Sequence, residues 1–317
     1  MRVCICDRSA LELLRSSGRL LPKLLECPRT GSLSGCGLMP LPFFDDVLLR
    51  SGVKRRPVHV MLANEAGGRH RSDVIVHRRS GRNPRRSFIV VNDDLLVTGP
   101  EFLFCDLAAR RDFDAVDLAV LGYELCGTCV LDDSWDGLTN TAESVTSVAK
   151  IERMVASRAG CAGIGKAREA LSLVRDGSNS PMETVLCALL AFPRRFGGYG
   201  LGPVSLNHRV ATADGTRYVD VAFPEAGLGL EYKGRAFHSL EQVGRDDRRQ
   251  NKVVGTGMTI INVWYEDLVQ EHLFNQLVVD VSHAMGLRLR IRSKSFDARQ
   301  RILRLKLLQT VRGIEAG

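Results

Sequence analysis

The 317-residue chain contains no stretch of eighteen apolar residues, which argues against a membrane-spanning helix. Its first residues, "MRVCICDRSALELLRS", meet Asp7 early and lack the long apolar core of a secretory leader. There is no glycine-rich phosphate loop of the Walker type and no G-x-S-x-G, so ATP-driven and serine-hydrolase chemistry have no support. The CxxC at 126–129, "CGTC", has no second pair at metal-binding spacing, and two buried thiols in a helical segment account for it. Cys4 and Cys6, alternating on a short strand, read the same way. Nine cysteines, an odd number scattered along the chain, suit reduced thiols in a cytoplasm better than a disulfide framework. Internal repeats and long low-complexity segments are also lacking.

What is present is ordinary globular material, 44% hydrophobic and 25% charged, with 30 Gly and 11 Pro. The net charge of +8 is unevenly placed. Residues 50–86 hold eleven Lys/Arg against Glu65 and Asp73, and residues 288–317 hold nine against Asp297 and Glu315, leaving the remainder net acidic. Clustered cations attract polyphosphate backbones through counterion release, although a solvated basic surface explains either cluster alone.

The amino-terminal half alternates short strands ("RVCIC", "PVHVML", "DVIVH", "SFIVV", "DLLVT") with helical segments such as "GPEFLFCDLAARRD" and "DAVDLAVLGYELCG". "RDGSNSPMETV" then marks a border near residue 177, giving 1–176 as a smaller α+β domain, 177–286 as a second domain and 287–317 as a basic, helical tail. In the second domain Ser180 caps a helix with Pro181 first and Glu183 three after the cap. Two strands joined at Asp214-Gly215 follow, then "LGLEYKG", a helix over "SLEQVGRDDRRQNKVVGTG", the strand "MTIINVW" and one closing helix. The order is α-β-β-β-α-β-α, an α/β class with a mixed sheet.

The stretch "YVDVAFPEAGLGLEYKG" carries the chemistry. If "VDVAF" and "LGLEY" pair across "PEAG", Phe223 faces Leu228 and Asp220 falls opposite Glu231. Alternation then sets Asp220, Ala222, Gly229, Glu231 and Lys233 on one face and Val219, Val221, Phe223, Leu228, Leu230 and Tyr232 on the other. Opposed carboxylates repel unless a proton or a cation lies between them, and a hard ion such as Mg²⁺ or Mn²⁺ satisfies both. Ala222 and Gly229 would leave open space beside the pair, and Lys233 would offset phosphate charge. The plain alternative is a solvated outer face of a hairpin.

With this element order, "VDV…LEYK" resembles the PD-(D/E)XK, or restriction-endonuclease-like, nuclease superfamily. More narrowly, residues 178–267 resemble small bacterial domains related to the very-short-patch mismatch endonuclease, on "SPME", "YVD", "LEYKG", His238, "RDDRRQNK" and "INVW". The resemblance implies a Mg²⁺- or Mn²⁺-dependent endonuclease acting on DNA, in phage defence or repair. Asp220 and Glu231 would be metal ligands, Lys233 the catalytic cation and Glu183 an accessory carboxylate. His238, Asp247 and Arg248 take accessory positions. Val219 stands where the family's namesake proline would be, and no Cys/His set matches the mismatch enzyme's structural zinc, so that activity does not carry over. The front half, on "PVHVML", "LLVTGPEFLFCDLAARRD" and "VLGYELCG", resembles AbiE-type antitoxins without their winged helix, which implies a binding or regulatory module.

Each supporting residue has a plainer reading. Glu183 also fits a capping box, and His238 an uninvolved loop. Arg245, Arg248, Arg249 and Lys252 form a basic helical stripe for nucleic acid, or a solvated face paired with Asp246 and Asp247. Trp264 reads as core. The competing functions are a non-catalytic DNA-binding regulator and an RNase using the same residues. DNA is the first expected partner, with no membrane, and a homodimer or protein partner is left open.

Overall fold

The computed structural model describes residues 1–64, 71–79, 83–132, 137–234 and 251–311. The chain divides into two compact units, Met1–Val174 and Arg175–Gly317, of which the amino-terminal one is the longer. Both are mixed α/β.

The first unit opens with β1 (Val3–Ile5), α1 (Asp7–Ser16), α2 (Leu21–Glu26), β2 (Arg29–Thr30) and α3 (Leu41–Ser51). Strands β3 (Val58–Ala63), β4 (Val74–Arg79), β5 (Phe88–Val90) and β6 (Leu95–Thr98) follow. The unit closes with α4 (Pro100–Ala108), α5 (Ala115–Cys126), the hairpin β7 (Cys129–Asp132) and β8 (Gly137–Asn140), α6 (Val148–Ser157) and α7 (Ile164–Leu173). Six strands form one sheet in the order β2-β5-β6-β1-β3-β4, with β1/β6 and β3/β4 parallel and the other pairs antiparallel. Val58, Val60, Met61 and Leu62 are all buried, because β3 is covered on both faces. Asp114 starts α5 by accepting from Val116 N and Asp117 N, while Asp117 returns a bond to Asp114 N. Of the CxxC pair, Cys126 ends α5 but Cys129 begins β7, so the segment is not wholly helical; both are buried.

The basic run at 50–86 looks different once folded. Arg50 pairs with Asp46, Arg56 with Asp45, Arg71 with Asp73 and Arg79 with Asp106. Two of these acids are near neighbours in the chain and two, Asp45 and Asp106, come from other elements; together they neutralise part of a cluster that reads in sequence as free positive charge.

The second unit begins with α8 (Pro181–Ala191), whose cap Ser180 accepts from Glu183 N at 3.1 Å. Residues Met182 to Leu190 are buried, as in a helix enclosed on all sides. Strands β9 (Ser205–Thr212), β10 (Gly215–Phe223), β11 (Leu228–Lys233) and β12 (Thr259–Trp264) form a sheet in the order β12-β11-β10-β9, antiparallel except for β11/β12. The expected closing helix is two, α9 (Tyr265–Val269) and α10 (Glu271–Ala284), parted at Gln270, whose backbone is extended. The basic tail carries α11 (Phe296–Gln309), which buries Leu303 and Leu307 and packs on α8; it is part of this core. The helix expected over 239–257 lies mostly outside the described residues; 251–254 are helical.

In the hairpin Phe223 pairs with Leu228, Ala222 with Gly229 and Val221 with Leu230, the register that the "PEAG" turn predicts. The two-faced arrangement is corrected. Val219, Val221, Ala222, Phe223, Leu228 and Leu230 are all at most 1% exposed, so the middle of the hairpin is covered on both sides. Burying each large apolar side chain here stabilises by about 1.5–3 kcal/mol. Ala222 and Gly229 therefore do not border open space. Ala222 shares a cluster with Val219 and Val253, and a Cβ on Gly229 would lie 2.6 Å from Val219 Cγ1 and 2.8 Å from Ile260 Cδ1. Charge and grease are segregated along the strands rather than across them.

Candidate active site

Asp220 sits where β10 stops pairing regularly. The β10/β11 ladder ends at Val221–Leu230, and the β9/β10 ladder skips the Asp220–Asn207 position. Val219 and Ala222 share one cluster, so strict alternation breaks within the stretch containing Asp220. Asn207, across from it, has φ +43°, a left-handed conformation that asparagine tolerates better than most residues. The expectation of Asp220 and Glu231 as a directly opposed ladder pair is therefore corrected. Instead Asp220 Oδ2 accepts from Tyr232 N at 2.8 Å, taking the place of a ladder bond and setting the carboxylate beside the Glu231–Lys233 segment. On that segment Lys233 Nζ lies 3.9 Å from Glu231 Oε2, and both side chains are about one-fifth exposed.

Glu183 enters from α8, only 7% exposed. Its Oε2 accepts from Asn179 N at 2.8 Å and from Asn207 Nδ2 at 3.1 Å. Asn207 Nδ2 also reaches Gly177 O at 2.6 Å, and its Oδ1 accepts from Asn179 Nδ2 at 2.6 Å. The capping box is half made: Ser180 receives Glu183 N, but the carboxylate turns to Asn179 N, before the cap. Asn207 is a positioning residue that sequence reasoning passed over; its signal was an asparagine inside a strand.

Burial, with the neighbouring Asp220 charge second, pushes the Glu183 carboxyl up from its ordinary 4.5 to about 8. Its contribution to stability is full below the unfolded value and is lost as pH rises through about 8. Each pH unit between those two values changes the stability by about 1.4 kcal/mol. Glu183→Gln, which imitates the protonated acid, is expected to gain stability over wild type as pH rises from 5 to 8, and to level off above. Thermal melts in EDTA across that range measure it; a difference flat with pH would mean that Glu183 is ionised throughout.

Other expected positions fall elsewhere. Lys252 pairs with Asp214 in the β9–β10 turn, six residues along β10 from Asp220, or roughly 20 Å. It does not join the carboxylates. His238, Arg245, Asp247, Arg248 and Arg249 lie outside the described residues. Trp264 is half exposed, not core, because it ends β12 in register with Lys233. Arg194, Arg288, Arg290 and Arg292 line a cleft of about 510 Å³ in this same unit.

The carboxylates do not form a three-ligand cage. Among the described residues, the one group that gathers three metal-binding side chains, with donor atoms within 4.8 Å of one another, is Asp7, His59 and His77 in the first unit. Sequence reasoning missed it; the signal available was a histidine within each of two apolar strand patterns. No helix among the described residues is long and apolar enough to cross a membrane. No family model, no curated protein and no solved structure matches this chain.

Proposed function

We propose that the unit Arg175–Gly317 is a divalent-metal-dependent nuclease with a restriction-endonuclease-like core. The observation that carries this reading is the Asp220 carboxylate bound to Tyr232 N, between Glu231 and Lys233 in sequence, with buried Glu183 within reach of its charge. The sheet order and the helix α8 laid against β10 suit that core. Two carboxylates without a third are a donor set for Mg²⁺ or Mn²⁺, which bind through one or two carboxylates and keep several waters. Asp220 and Glu231 would hold the ion, and it would supply Lewis-acid polarisation of a phosphoryl oxygen.

The remaining roles belong to the chain. Lys233 offsets the negative charge that develops on the phosphate. Glu183, protonated near neutral pH, lowers the repulsion on Asp220 while the site is empty of cations and can release its proton when positive charge arrives. Trp264 offers an aromatic face beside Lys233 on which a base can stack. The arginine cleft gives the same unit a place for a phosphate backbone.

The deciding experiment is a panel of Mg²⁺, Mn²⁺, Ca²⁺ and EDTA against plasmid, single-stranded DNA and RNA. Cleavage in Mg²⁺ or Mn²⁺ alone is expected, with DNA the first substrate. Salt-sensitive binding without turnover under every condition would replace this reading with that of a nucleic-acid-binding regulator, and cleavage of RNA only would change the substrate.

A further inference from the structure

We propose that Asp7, His59 and His77 form a binding site for a divalent first-row transition metal, with Zn²⁺ the leading occupant. The site is in the first unit and is independent of the nuclease reading.

Three adjacent strands build it. Asp7 is the first residue of α1, immediately beyond the end of β1. Next to β1 stands β3 with His59, and next to β3 stands β4 with His77. His59 pairs with Ile75 and Met61 with His77 in the parallel β3/β4 ladder, so the two histidines stand two positions apart on one face. The ring nitrogens His59 Nδ1 and His77 Nε2 are 2.8 Å apart. Asp7 Oδ1 lies 3.7 Å from His59 Nδ1, and Asp7 Oδ2 lies 3.9 Å from His77 Nε2. Three donor atoms at these separations can share one ion at roughly 2.0–2.2 Å from each after small side-chain rotations.

The surroundings orient the ligands. Asp7 has φ +53°, which turns its carboxylate back toward its own amide neighbour, and Oδ1 accepts from Arg8 N at 2.6 Å and Arg110 Nη1 at 3.0 Å. Those bonds hold Oδ1, the oxygen on the His59 side, and leave Oδ2 facing His77. Arg110 is itself neutralised by Asp112, through Nε at 2.8 Å and Nη2 at 3.0 Å, so its positive charge is not aimed undiminished at the site. Ser9 Oγ accepts from His59 N at 3.0 Å and fixes that strand against α1. Asp7 and His59 are nearly buried, whereas the His77 side chain is 32% exposed. Two imidazoles and one carboxylate, open on one side, select Zn²⁺, Fe²⁺ or Co²⁺ over Mg²⁺ and Ca²⁺, which prefer oxygen donors. Without an ion the same atoms make an N–H···N bond between neutral rings, and the experiment separates the two states.

The full-length chain carrying Asp220→Ala and Glu231→Ala, stripped with EDTA and kept reduced, is titrated with Zn²⁺ by calorimetry and with Co²⁺ by visible absorption. One ion per chain is expected, with the weak d–d bands of nitrogen and oxygen ligation. His77→Ala, chosen because its side chain is partly exposed, should weaken binding by at least about 100-fold. Asp7→Asn is the second variant and should weaken it likewise. Zn²⁺ should raise the melting temperature of the parent but not of either variant, and Mg²⁺ should raise neither. Absence of saturable binding, a thiolate-to-Co²⁺ charge-transfer band, or undiminished binding by both variants would each overturn the site.

Discussion

Cleavage in Mg²⁺ is expected to fall by at least about three orders of magnitude in Asp220→Ala, since an ion's stabilisation of transition-state charge is worth several kcal/mol and each 1.4 kcal/mol is about tenfold. Asp220 does two things that the alanine variant removes together: it supplies charge, and it accepts the Tyr232 amide. Asp220→Asn separates them. The amide oxygen can still accept from Tyr232 N, so the hairpin is expected to melt near wild type while activity is lost. Lys233→Ala should lower cleavage by about 10²–10³-fold, the loss typical of a single group that stabilises developing negative charge. Lys233→Arg should recover part of it. Fluorescence anisotropy with labelled DNA is expected to show binding retained in every variant. Cleavage that survives both Asp220→Ala and Lys233→Ala would place the chemistry on other residues.

The largest stability effect is expected at Asp106, far from that chemistry in the chain. This residue of α4 is 7% exposed and receives Arg79 and Arg158 on the same oxygen, Arg158 Nη1 at 3.2 Å. The guanidinium of Arg158, with a side chain only 4% exposed, also lies 4.1 Å from the Phe102 ring centroid. Asp106→Ala would leave that cation enclosed beside another with no counter-charge. Breaking a buried pair from one side costs about 3–5 kcal/mol, a large share of the roughly 5–15 kcal/mol that holds a domain folded. Because the chain has two units, hydrogen exchange of β1 and β6 amides reads the first unit directly. Exchange should accelerate strongly in Asp106→Ala. The double variant Asp106→Ala/Arg158→Met should recover part of the loss; unchanged protection in the single variant would show that the cluster is solvated and contributes little.

The candidate site was legible in sequence to the extent that it depends on local pattern. Ser180-Pro181 announced α8, Asp214-Gly215 joined β9 to β10, and "PEAG" set the pairing of Phe223 with Leu228, because turn length determines hairpin register. Alternation also suggested a charged face, and there the inference failed. Alternation describes a strand with one solvated side, while β10 and β11 are covered on both sides at their centres. Polar residues in such strands can reach solvent only at the ends. Trp264 was misjudged for the same reason: its exposure follows from the place where β12 ends, and residue type does not disclose that.

By itself, then, the sequence determined α8 and the strands β9 to β12, the hairpin register and the presence of two acids and a lysine within one short segment, all consequences of interactions between near neighbours. Only the tertiary structure decided that Glu183 is buried against Asp220's charge, that Arg56 and Arg79 are met by Asp45 and Asp106, and that Asp7, His59 and His77 converge. Burial and charge pairing depend on which distant segments pack together. The strand order β1-β3-β4, which brings residue 7 to residues 59 and 77, is set by the packing of the whole unit.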